Sequence, residues 1–534
     1  MERLSGLDAS FLYLETPTHH MHVAVALVFD PTTIPGGYSF ARIKRSIADR
    51  LPAAPVLRRR LVETPFRLGH PVWVDDPNVD IDAHVRLAAV PPPGGLAELA
   101  TLAGEITSHQ LDRSRPLWEI WLVEGMAEGQ LGFVAKMHHS MVDGIAGAAL
   151  LGVLFDLEAE PPPVPVATPV EDEPVPSSLE LISRALMART LRPLEMTRDI
   201  IRTSRKLADI RRVRIGSDHT EGQGKAALPL SAPRTSFNSA LTRRRSVAFT
   251  SIGLDDVRRL GVATGTTVND VVLAVCAGAL RSYLQRGDEL PDKPLVGVVP
   301  VSINPGDVQP IGSNLVSAMF IQLPTQLDDP LERLRSIHEG TLGAKQEHDA
   351  LGPDLLQSWA QHATPNVFTV GAHLYTRLHL ADRHRPIANL VISNFPGPEI
   401  PLYLGGARLT AGYPLGPVMD GMGVNITVMS YQGVLNWGIH TSPDIVPSVS
   451  SLADAVPGAL GELADAVPLV LRPGGDPRAG TIADGERPDP TRVRGQKPNV
   501  GGPRGVTEEE PPAANFPVLD GPTTRNNSPV HAES

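Results

Sequence analysis

Two adjacent histidines stand three residues ahead of an Asp-Gly pair in the stretch Lys136-Met137-His138-His139-Ser140-Met141-Val142-Asp143-Gly144. A strand pattern over 131–138 (LGFVAKMH) precedes it and an apolar helical pattern over 145–157 (IAGAALLGVLFDL) follows, so the chain is held to strand, turn, helix at this point. Successive strand side chains face opposite ways, and His138 and His139 are therefore expected to have different neighbours. One ring can enter a cavity while the other packs or hydrogen-bonds within the domain. Imidazole, with an unperturbed pKa near ~6.5, is the side chain best matched to taking a hydroxyl proton at neutral pH. Asp143-Gly144 fixes the turn that aims it. Asp143 can orient a histidine or an arginine, or cap the next helix. An isolated His-His pair is more often a satisfied core pair beside a helix cap, but in this strand–turn–helix setting the pattern reads as the centre of an acyl-transfer site.

At 534 residues the chain has length for two core-forming domains plus extensions. Its net charge of −11 argues against a general nucleic-acid binder. The single Cys276 lies in the apolar helical run VNDVVLAVCAGALRSYL, which permits no intrachain disulfide, suits a reducing compartment, and makes a buried core residue the preferred reading. The N-terminus, MERLSGLDASFLYLE, lacks a basic region followed by an apolar core, and no apolar run reaches the ~18 residues of a membrane span. The expectation is a cytoplasmic protein, soluble or peripheral to a membrane.

Strand and helix patterns mix without strict alternation, which predicts an α+β architecture rather than a doubly wound sheet. Residues 1–158 form an N-terminal half carrying the histidines, and 159–234 a connector. The connector opens Pro-rich and acidic (AEPPPVPVATPVEDEPVPS) and becomes basic and helical over 178–215. A C-terminal half spans 235–471, with helices at 254–264 and 269–287 and strands at 295–303, 316–323, 389–394 and 423–439. The tail 472–534, rich in Pro, Gly and charge, is expected to be disordered. Asn269-Asp270 stands at a helix start, where capping is the plain role. His19, His20 and His22 cluster without a second ligand group at metal-site spacing, so a zinc site is not favoured. No dinucleotide or phosphate-loop glycine motif and no Gly-x-Ser-x-Gly elbow occurs.

The blocks LSGLDASFLYLE, PLWEIWLVEG (116–125), HHSMVDG (138–144), TVNDVVLAV (267–275), VPVS (299–302) and SNFPGP (393–398) together resemble the bacterial wax ester synthase/diacylglycerol acyltransferase family, over residues 1 to about 470. The resemblance implies two chloramphenicol-acetyltransferase-like half-domains with an active-site tunnel between them. It implies His139 as general base with His138 in support, Asp143 and Gly144 holding the loop, and Asn269 with Asp270 contributing from the second half. Pro116, Leu117 and Trp118 would shape the acyl-chain or fold-critical region. One departure is visible, since Ser313 separates Gly312 from Asn314 where Gly directly before Asn is expected. The implied reaction passes an acyl group from acyl-CoA, a co-substrate, to diacylglycerol or a long-chain alcohol, with no cofactor and no covalent acyl-enzyme. Asn269 or Ser302 would face the oxyanion.

Two alternatives are a condensation-type acyltransferase using a carrier-protein thioester, and a catalytically inactive lipid-binding relative. No carrier domain is visible, and a binding-only pocket has no need of a base. Ten basic residues against three acids between Arg184 and Arg214, on a roughly helical apolar spacing, fit either a lipid-surface helix at the inner membrane face or a droplet, or a solvated connector.

Overall fold

The computed structural model describes residues 2–141, 150, 152–161, 176–183, 187, 230–302, 316–351 and 365–467. Its first part runs β1 (Glu2–Arg3), α1 (Gly6–Leu14), β2 (His22–Asp30), α2 (Phe40–Arg50), β3 (Arg59–Val62), β4 (Val72–Asp75), α3 (Ile81–His84), β5 (Val85–Ala89), α4 (Leu96–Thr107), β6 (Trp118–Glu124) and β7 (Leu131–His138). The second part runs β8 (Ser246–Gly253), α5 (Leu254–Thr264), α6 (Val268–Arg286), β9 (Leu295–Ser302), β10 (Val316–Leu323), α7 (Pro330–Leu351), α8 (Pro365–Arg377), β11 (Leu390–Pro396), β12 (Tyr403–Leu404), β13 (Ala407–Leu415), β14 (Val424–Tyr431), β15 (Val434–Thr441) and α9 (Val449–Ala466).

The described residues form two six-stranded mixed sheets beside a small three-stranded one, β1-β4-β3. The first has the order β12-β13-β2-β7-β6-β5, and the second β10-β9-β11-β14-β15-β8. The division expected at residue 235 is therefore crossed once: β12 and β13 leave the second part and pair through β13 with β2. A strand joins whichever exposed edge it can reach, and here β2 offers one. The single strand expected over 423–439 is a hairpin, because Gln432 and Gly433 both hold positive φ (45° and 80°) and turn β14 back into β15.

Helix α6 starts at a reciprocal cap in which Thr267 and Asp270 satisfy each other's backbone N–H groups. Its apolar run, Val271 to Leu280 with Cys276, is buried between the second sheet and the neighbouring helices α7 and α9. A second core, centred on Trp118, Phe29 and Leu57, lies under the first sheet and takes in Leu150 and Leu154 from the segment after the histidine motif. Between the two, α4 packs on β8, so the parts share a contiguous apolar interface of Leu99, Ala103, Val247 and Leu415. The predicted helix at 254–264 coincides with α5, and that at 269–287 with α6 to within a residue.

Candidate active site

Strand β7 ends at His138, whose backbone N–H donates to the Leu117 carbonyl (3.0 Å), while the His139 N–H donates to that of Met21 (2.8 Å). The paired histidines are thus pinned between β6 and β2 by main-chain bonds. The two rings have different neighbours, as strand alternation requires. His138 is buried (1% exposed), and its Nδ1 accepts from the Ser140 backbone N–H (3.1 Å), with the Ser140 hydroxyl at 2.8 Å. An accepting Nδ1 places the ring proton on Nε2, which faces the Glu15 carboxylate at 3.6 Å. His139 is half-buried and stacks on Phe11, ring centroids 4.2 Å apart.

Phe11 and Glu15 both come from α1 and its C-cap, so one short helix touches both rings. Glu15 collects further partners. The Arg113 guanidinium donates to it from Nη2 (2.5 Å) and Nε (3.2 Å), and ties α1 down through the Leu12 carbonyl (2.9 Å). His22 Nε2 lies 3.4 Å from its other oxygen, and His22 is the cross-strand partner of His138 in the β2–β7 register. Burial alone would raise the Glu15 carboxyl, but the adjacent His138 and His22 rings and the charge of Arg113 hold it well below the usual carboxylate range. Burial pushes His138 below the ordinary histidine value despite the pull of Glu15, and pushes His22 down to about 3. Near pH 7 this is a carboxylate–guanidinium pair holding two neutral imidazoles.

Among the other residues read from the sequence, Leu117 and Trp118 are wholly buried. The Trp118 indole N–H donates to the Leu57 carbonyl (2.7 Å), its ring stacks on His84, and its backbone N–H is held by the Pro116 carbonyl (2.9 Å). These three residues anchor the β6–β7 edge that carries His138. Asp270 spends its carboxylate on Thr267, on His338 Nδ1 (2.8 Å) and on the Thr341 hydroxyl (2.7 Å). It caps α6 and ties it to α7. Asn269 Oδ1 accepts from Asn394 Nδ2 (3.4 Å), joining the starts of the Asn-Asp and Ser-Asn-Phe-Pro blocks. Asp143, Gly144, the Gly312-Ser313-Asn314 departure and most of the basic 184–214 segment lie outside the described residues, as does the Ser302 side chain.

The geometry adds Glu15, Phe11, His22, Arg113 and Ser140 to the site. Glu15 stands inside the LSGLDASFLYLE block, and an acid closing an otherwise apolar helix was the available signal. His20, from the histidine cluster, contacts the Pro17 carbonyl (3.1 Å) and the Thr107 carbonyl (3.3 Å). A cavity of about 260 Å³ reaches Glu15 and is lined by Tyr13, Arg113, Thr369 and His373 among others.

Two six-stranded sheets with an anchored His-His pair at a strand end fit the two-half, chloramphenicol-acetyltransferase-like architecture that the resemblance implies. Two family models match this chain: the wax ester synthase/diacylglycerol acyltransferase catalytic domain over residues 4–272, and the WS/DGAT C-terminal domain over 312–464. A Mycobacterium tuberculosis protein named "Putative diacyglycerol O-acyltransferase" is 42% identical over 464 residues, covering 87% of this chain and 90% of that protein. Another of the same name and organism is 36% identical over 450 residues, covering 84% and 92%. The solved wax ester synthase/diacylglycerol acyltransferase from Marinobacter aquaeolei VT8 superposes with a TM-score of 0.61 at 30% identity, covering 87% of this chain and all of that one. The starter condensation domain of rhizomide synthetase, at 14% identity and a TM-score of 0.50 (87% and 95% covered), shares the fold. The chain belongs to the wax ester synthase/diacylglycerol acyltransferase family and is an acyltransferase.

Proposed function

We propose that the enzyme passes an acyl group from acyl-CoA to the hydroxyl of diacylglycerol or a long-chain alcohol, with His139 as general base and no cofactor. The acceptor hydroxyl loses its proton to His139 as its oxygen attacks the thioester carbonyl. The tetrahedral oxyanion then collapses, the C–S bond breaks, and the thiolate takes the proton back from His139. A thiolate is a weak enough base to leave with little acid help, so one histidine serves both transfers. Asn269, whose oxygen accepts from Asn394, or Ser302 supplies the oxyanion donor in this reading.

The observation that carries it is the division of labour between the rings. His138 is wholly buried and bonded at Nδ1 by Ser140, whereas His139 is half-buried against Phe11. A wholly buried imidazole positions, and a half-buried one reacts. Asp143 and Gly144 keep the orienting role that the family resemblance implies for them, and Asp270 acts through α6. Purified protein given palmitoyl-CoA with diacylglycerol or hexadecanol should form triacylglycerol or wax ester. His139→Ala should cost about 10²–10⁴ in rate while the protein stays folded, and His138→Ala less. Near-normal turnover by folded His139→Ala refutes the mechanism.

The acceptors are water-insoluble, and a peripheral lipid-surface location is part of the same proposal. No single helix among the described residues is long and apolar enough to cross a membrane. Support comes from α8, where Val367 (71%), Val370 (66%) and Leu374 (50%) are exposed in helical register beside Phe66 (82%). Arg67 and Arg377 stand at its edges, suited to an anionic surface. Thr369 and His373 of the same helix line the cavity that reaches Glu15, which gives an acceptor a short path from lipid to site.

A further inference from the structure

A second cavity, of about 560 Å³, lies where the C-terminal end of α4 meets the chain entering β8. Its wall includes Arg243, Arg244 and Arg245 in succession, with Glu105 as the only acid. The three arginines have separate roles. Arg245 is buried and spends its guanidinium on the carbonyls of Thr242 (2.6 Å), Arg244 (3.0 Å) and Thr18 (2.6 Å), so it builds the wall. Its backbone N–H is held by the Ser108 hydroxyl (2.8 Å), and α4 approaches so closely that a Cβ on Gly104 would stand 3.0 Å from the Arg245 carbonyl. Arg244 is exposed and pairs with Asp444 at 3.2 Å, a solvated pair that a stronger anion can displace. Arg243 is exposed and has no ion-pair partner among the described residues. Glu105 is itself largely exposed (72%) and lies 3.9 Å from His109, another wall residue.

We infer that this cavity takes the phosphate-bearing nucleotide end of the acyl-CoA, with Arg243 and Arg244 as its phosphate ligands. The inference rests on acyl-CoA being the donor, as proposed above. Guanidinium forks match phosphate oxygens in pairs, and two exposed arginines on a wall anchored by buried Arg245 suit a ligand that must enter and leave each turnover. The position is also close to the histidine motif, reaching through His20 and His22 to the ring of His138 next to the general base. His20 lines this cavity, its ring centroid is 5.5 Å from that of His22, and His22 lies 5.9 Å from His138. The nucleotide would be held on the α4 side of the histidines, while the 260 Å³ cavity beside α8 stays open to the acceptor.

The test compares the wild-type enzyme with Arg243→Gln/Arg244→Gln. The KM for palmitoyl-CoA should rise roughly tenfold in the double variant, with kcat changed far less, because two solvated charge contacts are lost. The inhibition constant of adenosine 3′,5′-bisphosphate should rise in step, and the salt dependence of KM should weaken. Unchanged KM and inhibition constant overturn the assignment. So does pyrophosphate that competes as well as the nucleotide, which leaves only a general anion site. Should the double variant melt early, Arg243→Gln alone carries the same comparison, since that side chain is exposed. Should wild type fail to transfer from palmitoyl-CoA at all, the proposed donor is wrong. Direct CoA titration then decides the cavity by itself: binding lost in the variant supports it, and no binding to wild type overturns it.

Discussion

Replacing Glu15 with glutamine deletes one charge from the buried network and leaves its shape nearly unchanged. Glu15 is 7% exposed and answers Arg113, His22 and His138 at once. Breaking a buried ion pair by removing one partner typically costs about 3–5 kcal/mol. The Arg113 side chain is 35% exposed and can regain water, and glutamine keeps one accepting oxygen, so about 2–3 kcal/mol is expected here. The glutamine amide must also point its NH2 at some partner, and neither the Arg113 guanidinium nor the His138 Nε2–H accepts. His138 then loses the charge facing its Nε2 and keeps Ser140 at Nδ1. Misplacement of that ring shifts the strand end carrying His139, and about 10- to 100-fold should be lost from kcat. The assay pairs thermal melting with initial rates of transfer from palmitoyl-CoA to hexadecanol. Glu15→Asp, which restores charge at shorter reach, should recover part of the stability. A Glu15→Gln protein with wild-type melting and wild-type kcat would sink the positioning argument. Lower melting with unchanged kcat would reduce Glu15 to a structural tie.

Acid should destabilise the fold well above the carboxylate range. Burial depresses His22 from 6.5 to about 3 and His19 to about 4, so the unfolded chain binds these protons first. The stability they confer is whole above pH 6.5 and is lost as pH falls from there toward 4, at about 1.5 kcal/mol for each between pH 6.5 and 5. Glu15, whose carboxyl is depressed, adds a further loss only below its ordinary value near 4.5. Denaturant midpoints at pH 7, 6 and 5 measure this, and a flat profile across that range contradicts neutral buried histidines. At the lipid surface, Val367→Asp with Val370→Asp should abolish binding to anionic vesicles while transfer to a detergent-solubilised acceptor persists. Undiminished vesicle binding removes α8 from that role.

Much of the local structure was legible because it depends on near neighbours in the chain. The strand ending at His138, the helix at 254–264, the Thr267–Asp270 cap and the burial of Cys276 all follow from periodicity and capping chemistry. The same local information placed His138 and His139 on different sides and singled out the motif. It also took 423–439 for one strand, because a Gln-Gly turn is a weak signal inside an apolar run. What tertiary structure alone decided is which side chains share a buried charge. Glu15, Arg113 and His22 read individually as a helix end, a loop cation and part of a histidine cluster. Each becomes part of the site only because β2 pairs with β7 and α1 lies across the strand end. The insertion of β13 beside β2, and the meeting of α4 with Arg243–Arg245, are likewise set by packing between distant segments. A charge carries no periodicity, and its partner is chosen by where burial leaves it without water.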